Sequence, residues 1–415
     1  MHQLAPAALA NRGDQMTPRR RLFTIITLGL LTALGPFTID LYLPAFPAIK
    51  QNLNITDAQV QVTLSATTLG FALGQLLIGP VSDRLGRKWP LVAMTTLHVT
   101  ASVLVALSQS LESLTIMRAL QGIGAAGGAV VAMAMARDLF SGNRLIKMLS
   151  NLALINGLAP IIAPLLGSWL VTFVDWRGVF WVLACYGALI VVLVVTLIVE
   201  SRPPAERTTG GITAVFAAYR RVLSDRIYVG VWLVAALAFG GLFSYVASSS
   251  VLLQEGYGLT PQGFGAVFAT CSVGVFVGVQ TGSRLAAKVG PQWILVAGTA
   301  LMVVAATAFL LLHSSYPTSY VVLVPALFAY TTGFGACMPT AQVLALQNHR
   351  TDSGVAASLM GALNMLMAAM VGPVLGRFDM TSPVPLGVAM LVCAGLATAC
   401  LWTIVRPRQL QVSFD

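Results

Sequence analysis

The chain has 415 residues, of which 57% are hydrophobic and only 9% charged, against about 25% charged in an ordinary soluble domain. No soluble core of this size could hide that much apolar surface, so a soluble fold is excluded and lipid must solvate the side chains. The formal net charge of +10 would suggest a nucleic-acid partner in a soluble protein, but the basic residues lie between apolar runs, and this placement excludes that partner too.

In chain order, residues 1–20 read as a cytoplasmic tail. Arg19, Arg20 and Arg21 then precede an apolar run that is too long for a signal peptide and is followed by no small-residue cleavage site, so it reads as a retained first span. Apolar segments of about 20 residues, enough to cross a roughly 30 Å hydrocarbon core, recur throughout. They fall at 22–46, 58–82, 89–109, 113–136, 146–173, 178–199, 228–251, 262–286, 292–312, 319–341, 353–376 and 384–405. In lipid the backbone must form helices or a closed barrel, and these runs are too long and too uniformly apolar for barrel strands. Residues 200–227 are the longest polar break. They read as a cytoplasmic central loop between a six-helix bundle at 21–199 and a second at 228–406, with a cytoplasmic tail at 407–415.

The fold predicted is therefore all-α integral membrane, with twelve transmembrane helices in two pseudo-symmetric six-helix bundles. Charge tests the count, because cytoplasmic loops collect Lys and Arg. With the N-terminus cytoplasmic, Arg12, Arg19–Arg21, Arg84, Arg87, Lys88, Arg137, Arg144, Lys147, Arg202, Arg207, Arg220, Arg221, Arg226, Arg284, Lys288, Arg350, Arg406 and Arg408 all fall inside, which is 20 of the 24. Miscounting one span would scramble that alternation. The reading puts a multi-pass protein in the cell (inner or plasma) membrane with both termini cytoplasmic.

A faint repeat joins the halves. At an offset of 204 residues, Ile55-Thr56 aligns with Leu259-Thr260, and Ser82-Asp83-Arg84-Leu85-Gly86-Arg87-Lys88-Trp89 with Ala286-Ala287-Lys288-Val289-Gly290-Pro291-Gln292-Trp293. Repeated halves are how many carriers build two gates around one central site.

The sharpest motif is Gly79-Pro80-Val81-Ser82-Asp83-Arg84-Leu85-Gly86-Arg87-Lys88, in the short loop after the second span. Gly79 is expected to admit a close helix and Gly86 a tight turn. Asp83 can face a helix N-terminus or a base such as Arg137. Arg84, Arg87 and Lys88 anchor the loop on the cytoplasmic side. Such a cluster can latch two bundles together and release them.

This motif closely resembles the loop signature of the major facilitator superfamily. Asp40-Leu41-Tyr42-Leu43-Pro44 with Pro47, Gln61, Gly74-Gln75, Arg118-Ala119-Leu120-Gln121-Gly122-Ile123-Gly124 and Asp175-Trp176-Arg177 narrow the resemblance to drug:proton antiporters of the bicyclomycin/chloramphenicol-resistance type. Gly157, Pro160, Pro164 and Gly167 form most of a fifth-span antiporter motif. Two departures stand out: Ser168 occupies the place of a usual second glycine, and Ser250 in the seventh span that of a frequent proline. The resemblance implies proton-coupled efflux of small drug-like molecules, phenicol or bicyclomycin-type antibiotics among them. A same-fold carrier of an endogenous metabolite or sugar stays open. A channel or receptor is disfavoured by the short outer loops and the lack of a filter repeat, and an enzyme by the absence of any catalytic constellation.

Charge inside a membrane costs roughly 2.5–3.5 kcal/mol on insertion scales, so intramembrane charges are functional candidates. Asp40 and Arg118 qualify, at similar depth in the first and fourth spans, and are expected to carry the proton coupling. Asp40, Tyr42, Gln121, Asn156, Tyr245 and Asn364 are the expected substrate-binding residues. The five cysteines and four histidines show no metal-ligand spacing, so no metal or cofactor is expected. The expected partners are a small-molecule substrate, protons and the bilayer, with the protein a monomer.

Overall fold

The computed structural model describes residues 16–207, 212–349 and 353–410. Arg12, Arg350 and the outer parts of both tails lie outside the described residues. Fourteen α-helices follow in chain order, and their bounds are α1 Pro18–Asp40, α2 Phe46–Leu53, α3 Asp57–Leu85, α4 Lys88–Ala106, α5 Leu111–Leu139, α6 Gly142–Leu170, α7 Trp176–Leu197, α8 Ile212–Leu223, α9 Arg226–Val251, α10 Pro261–Val289, α11 Pro291–Ser315, α12 Tyr320–Leu346, α13 Ser353–Leu375 and α14 Pro383–Cys400. Among the described residues, twelve helical segments are long and apolar enough to cross a membrane. The N-terminus of α1 and the segment joining the bundles share one end of the molecule, called the near end below; the opposite end is the far end.

Two elements differ from the sequence reading. The first span does not stop near Phe46. α1 ends at Asp40, a short 3₁₀ turn covers Leu43–Ala45, and α2 carries the span on to Leu53. Pro44 and Pro47 break the helix without ending the crossing. The polar break at 200–227 holds α8, a twelve-residue helix. It packs on α13 and α9.

The 204-residue repeat is structural. α3 and α10 are both 29 residues long and start and stop at equivalent positions. Thr56 and Thr260 cap their N-termini through the side chain, and Gly86 and Gly290 end them with φ of 95° and 94°. A side chain rarely adopts that backbone, which is why glycine survives in both copies. In each half the helix then packs closely on the next-but-one helix, α3 on α5 and α10 on α12. A Cβ at Gly122 or Gly278 would overlap the backbone of Thr67 or Thr332. Without a hydrophobic drive between helices in lipid, such small-residue contacts supply the packing.

The seam between bundles runs along α3–α13 and α6–α10, and it closes at one end only. On α3–α13, a Cβ at Gly376 would stand 2.5 Å from Ala58 Cα, one at Gly372 3.2 Å from Gln61 and Ser65, and one at Gly361 2.6 Å from Gln75 Oε1. The next position of the same stripe, Gly79, meets nothing within 4 Å, and neither does Gly354 on α13. On α6–α10, Ser168 lies against Gly265 toward the far end and Gly157 against Phe276 nearer the middle. The bundles therefore converge at the far end and part toward the near end. Gly79 meets no close helix in this conformation.

Candidate functional site

Asp40 ends α1, about 7 Å from the middle of the 36-residue first span. That is deeper than the sequence suggested, because α2 lengthens the crossing. The residue is 7% exposed, and among the described residues nothing donates a hydrogen bond or ion pair to its carboxyl group. A buried carboxylate without a partner is costly in its charged form.

Arg118 matches Asp40 in depth, since its Nη1 donates to the carbonyl of Thr38 at 3.2 Å. The two are nevertheless not an ion pair. The Arg118 side chain turns into the first bundle, where it is fully buried. Its guanidinium stacks 3.9 Å from the Tyr42 ring centroid and 5.4 Å from that of Phe180. Nη1 also donates to Gln121 Oε1 at 2.5 Å, and Gln121 Nε2 donates to Ser102 Oγ at 2.7 Å. Cation–π stacking and carbonyl contacts replace a counter-ion here. Tyr42 and Gln121, expected on a pocket wall, are 1% and 0% exposed. They belong to this internal cluster of α1 and the turn after it, α4, α5 and α7. His98, which no spacing in the sequence marked, completes it: fully buried, it holds Thr38 Oγ1 with Nε2 at 2.9 Å.

Asn156 lies differently. On α6 the lipid-facing row is Leu154, Ile162, Leu165 and Trp169, each more than 40% exposed. At 100° per residue Asn156 points roughly opposite that row, yet it is exposed. It faces open space on the inner side of the helix, between the parted bundles. Asn364 on α13 has a buried Oδ1 with no hydrogen-bond partner. Tyr245 on α9 is 2% exposed and stacks on Phe268 of α10, ring centroids 5.4 Å apart.

The fifth-span motif works through its prolines. Pro164 has no amide hydrogen, so the carbonyl of Pro160 loses its helical donor. Ser272 of the other bundle donates to that carbonyl at 3.1 Å. Gly167 lets α6 approach the backbone of Leu41, where a Cβ would overlap the carbonyl. Ser168, the departure from the motif, faces Gly265, whose missing side chain makes room for it.

The near-end loop forms a dense charged cluster. Arg87 Nη2 pairs with Asp83 Oδ1 at 2.7 Å, its Nε with Asp138 Oδ2 at 3.0 Å, and its Nη1 donates to Ser82 Oγ at 2.7 Å. Arg202 Nη1 pairs with Asp83 Oδ1 at 2.5 Å. Glu200 accepts the amides of Arg87 at 2.7 Å and Lys88 at 3.1 Å, an acid seated at the positive N-terminus of α4. A Cβ at Gly86 would collide with that carboxylate. Lys88 Nζ donates to the carbonyl of Val195 near the end of α7 at 2.8 Å. Arg84 is exposed beside them. The expected partner Arg137 is exposed and takes no part; its neighbour Asp138 faces the loop, one helical step of 100° around α5. Glu200, Asp138 and Arg202 were missed in the sequence because their roles depend on three elements meeting. The acid directly after the sixth span was the available signal.

Comparison with known proteins places this geometry. A family model described as Major Facilitator Superfamily matches residues 28–373. The chain is 32% identical over 395 residues to the Bacillus subtilis protein named uncharacterized MFS-type transporter YdgK, covering 94% of this chain and 98% of that one. It is 29% identical to a bicyclomycin resistance protein homolog of Haemophilus influenzae, covering 89% and 92%. It is 28% identical to multidrug resistance protein MdtL of Escherichia coli, covering 91% and 94%. Among solved structures, a bacterial homolog of the human lysosomal transporter Spinster, inward-facing and unoccupied, superposes with a TM-score of 0.70 at 17% identity over 94% of this chain and 98% of that one. The nucleoside transporter NupG superposes with 0.71 at 13% identity over 94% and 99%. With its repeated halves, its near-end charge cluster and a seam open at one end, the chain belongs to the major facilitator superfamily: it is a multi-pass membrane transporter of small molecules, not an enzyme.

Proposed function

We propose that the chain exports small, moderately hydrophobic drug-like molecules in exchange for protons. In this reading the near end is cytoplasmic, the protein sits in the inner or plasma membrane as a monomer, and antibiotics of the phenicol or bicyclomycin kind are among the cargoes. The carrying observation is Asp40, a buried intramembrane carboxyl with no hydrogen-bond or ion-pair partner among the described residues. Relatives named for bicyclomycin resistance and multidrug resistance support the cargo class.

In the proposed cycle, cargo enters the space open toward the near end, where Asn156 and Asn364 offer hydrogen bonds. Asp40 releases its proton into that wet space and is then free to favour a polar or cationic group of the cargo. After the bundles rock, a proton arriving from the far side neutralises Asp40 and cargo leaves. Arg118 acts from behind, pinning the Thr38 carbonyl so that the end of α1 keeps its orientation.

The test uses proteoliposomes with an imposed pH gradient and a phenicol as cargo. Wild type should accumulate drug against its gradient. Asp40→Asn should lose gradient-driven accumulation while keeping downhill exchange. Equal gradient-driven accumulation by the two would overturn Asp40 as the proton carrier.

A further inference from the structure

A carrier with repeated halves must open each end in turn, so what holds the far end shut is part of its machinery whatever the cargo. A set of hydrogen bonds joins the bundles from the middle toward the far end. Lys50 of α2 bridges Asp57 of its own bundle at 2.8 Å and Glu255 of the other. Glu255 sits in a π-turn, Leu252–Gly256, that finishes α9; such turns often mark functional positions. Ser250 Oγ donates to the carbonyl of Leu43 at 2.6 Å, and Gln254 Nε2 to that of Pro44 at 3.2 Å. Gln61 Nε2 donates to the carbonyl of Ala247 at 2.7 Å.

The helical donor for the Pro160 carbonyl would be the amide of residue 164, a proline, and Ser272 of the opposite bundle reaches that carbonyl, sharing its hydroxyl with the carbonyl of Phe268 on its own helix. The Leu43 carbonyl accepts the Phe46 amide within its 3₁₀ turn and takes Ser250 of the opposite bundle as a second donor. Both serine contacts exist only while the bundles meet. Ser250, the departure from the expected proline in the seventh span, is thereby explained.

We infer that Ser250 with Leu43, Ser272 with Pro160, and the Lys50–Glu255 ion pair form the far-end gate, and that their strength sets how much of the population stays closed at that end. Each is a bond made in one conformation and broken in the other, so each shifts the equilibrium by its own differential free energy.

The experiment places spin labels on non-canonical residues at Gln51 and Gln262, exposed positions on opposite bundles at the far end. The native cysteines are left in place. Full-length protein in nanodiscs is measured by pulsed dipolar spectroscopy, which depends on neither cargo nor protons nor orientation in a cell. Failure here is thus separable from failure of the efflux reading. Ser250→Ala and Ser272→Ala should each raise the ratio of long to short distances by about two- to tenfold, the worth of one neutral hydrogen bond. Glu255→Gln should raise it by about two- to fivefold, as expected for a partly exposed ion pair. Lys50→Glu should raise it too, and Lys50→Glu with Glu255→Lys should bring it back toward wild type. The inference is overturned if the serine and Glu255→Gln variants keep the wild-type distance ratio, or if the double charge exchange is as open as Lys50→Glu alone.

Discussion

At the scale of single residues, the membrane sorts charges by whether they find partners. Arg118 is fully buried and meets a carbonyl, an amide oxygen and two aromatic faces while its Nε and Nη2 make no hydrogen bond, whereas among the described residues the Asp40 carboxyl has no hydrogen-bond partner at all. Arg118→Lys should therefore be a poor replacement. An ammonium cannot stack flat on Tyr42 while reaching both Thr38 and Gln121, and a thermal melt in detergent should show a loss of about 2–4 kcal/mol, comparable with breaking a buried charged cluster. Near the membrane surface, Asp225 shows the reverse case. Burial works against its ionisation, but hydrogen bonds from Asn348 and the amides of Ile227 and Tyr228, with His349 at 3.1 Å, outweigh burial and hold its pKa below the usual carboxylate value. A depressed carboxylate contributes stability that is present above its unfolded pKa of about 3.9 and is lost as pH falls through the folded value. Asp225→Asn should melt lower than wild type at pH 7, and the gap should narrow as the pH is taken below about 4.

At the scale of elements, glycine placement separates permanent contacts from those that form in one conformation. Gly122 lies within a bundle, against the Thr67 backbone, while Gly79 lies on the seam facing open space. Gly122→Val should abolish monodisperse folded protein, because two helix backbones would have to separate. Gly79→Val should fold and melt like wild type yet slow turnover, since the near end could no longer close fully. Equal transport rates for Gly79→Val and wild type at matched expression would refute that assignment. The charged loop follows the same logic. Asp83→Asn removes the acid shared by Arg87 and Arg202, and drug binding should persist while turnover falls. The loop motif was legible in the sequence down to its turn glycine, because a tight turn and its flanking charges are local properties. Its partners were not, because Asp138 and Glu200 lie 51 and 113 residues from Arg87 and only packing brings them there.

At the scale of the whole molecule, the two bundles form a V closed by the far-end contacts and open where Gly79, Gly354 and Asn156 stand apart. A cargo reaching Asn156 from the near end would find the far end barred by Ser250, Ser272 and Lys50. The sequence by itself determined the helix count, the two-bundle repeat and the superfamily. Apolar length, charge alternation and a turn motif are properties of the chain read one segment at a time, and the bilayer enforces them segment by segment. It also marked Asp40 as an expensive intramembrane charge. Only the tertiary structure decided which way each polar side chain faces. It turned Arg118, Tyr42 and Gln121 into the first bundle, left Asp40 without a partner among the described residues, and brought serines of the opposite bundle to the carbonyls of Leu43 and Pro160. Those outcomes depend on how helices distant in sequence pack, and helical periodicity leaves that open when every face of a helix is apolar.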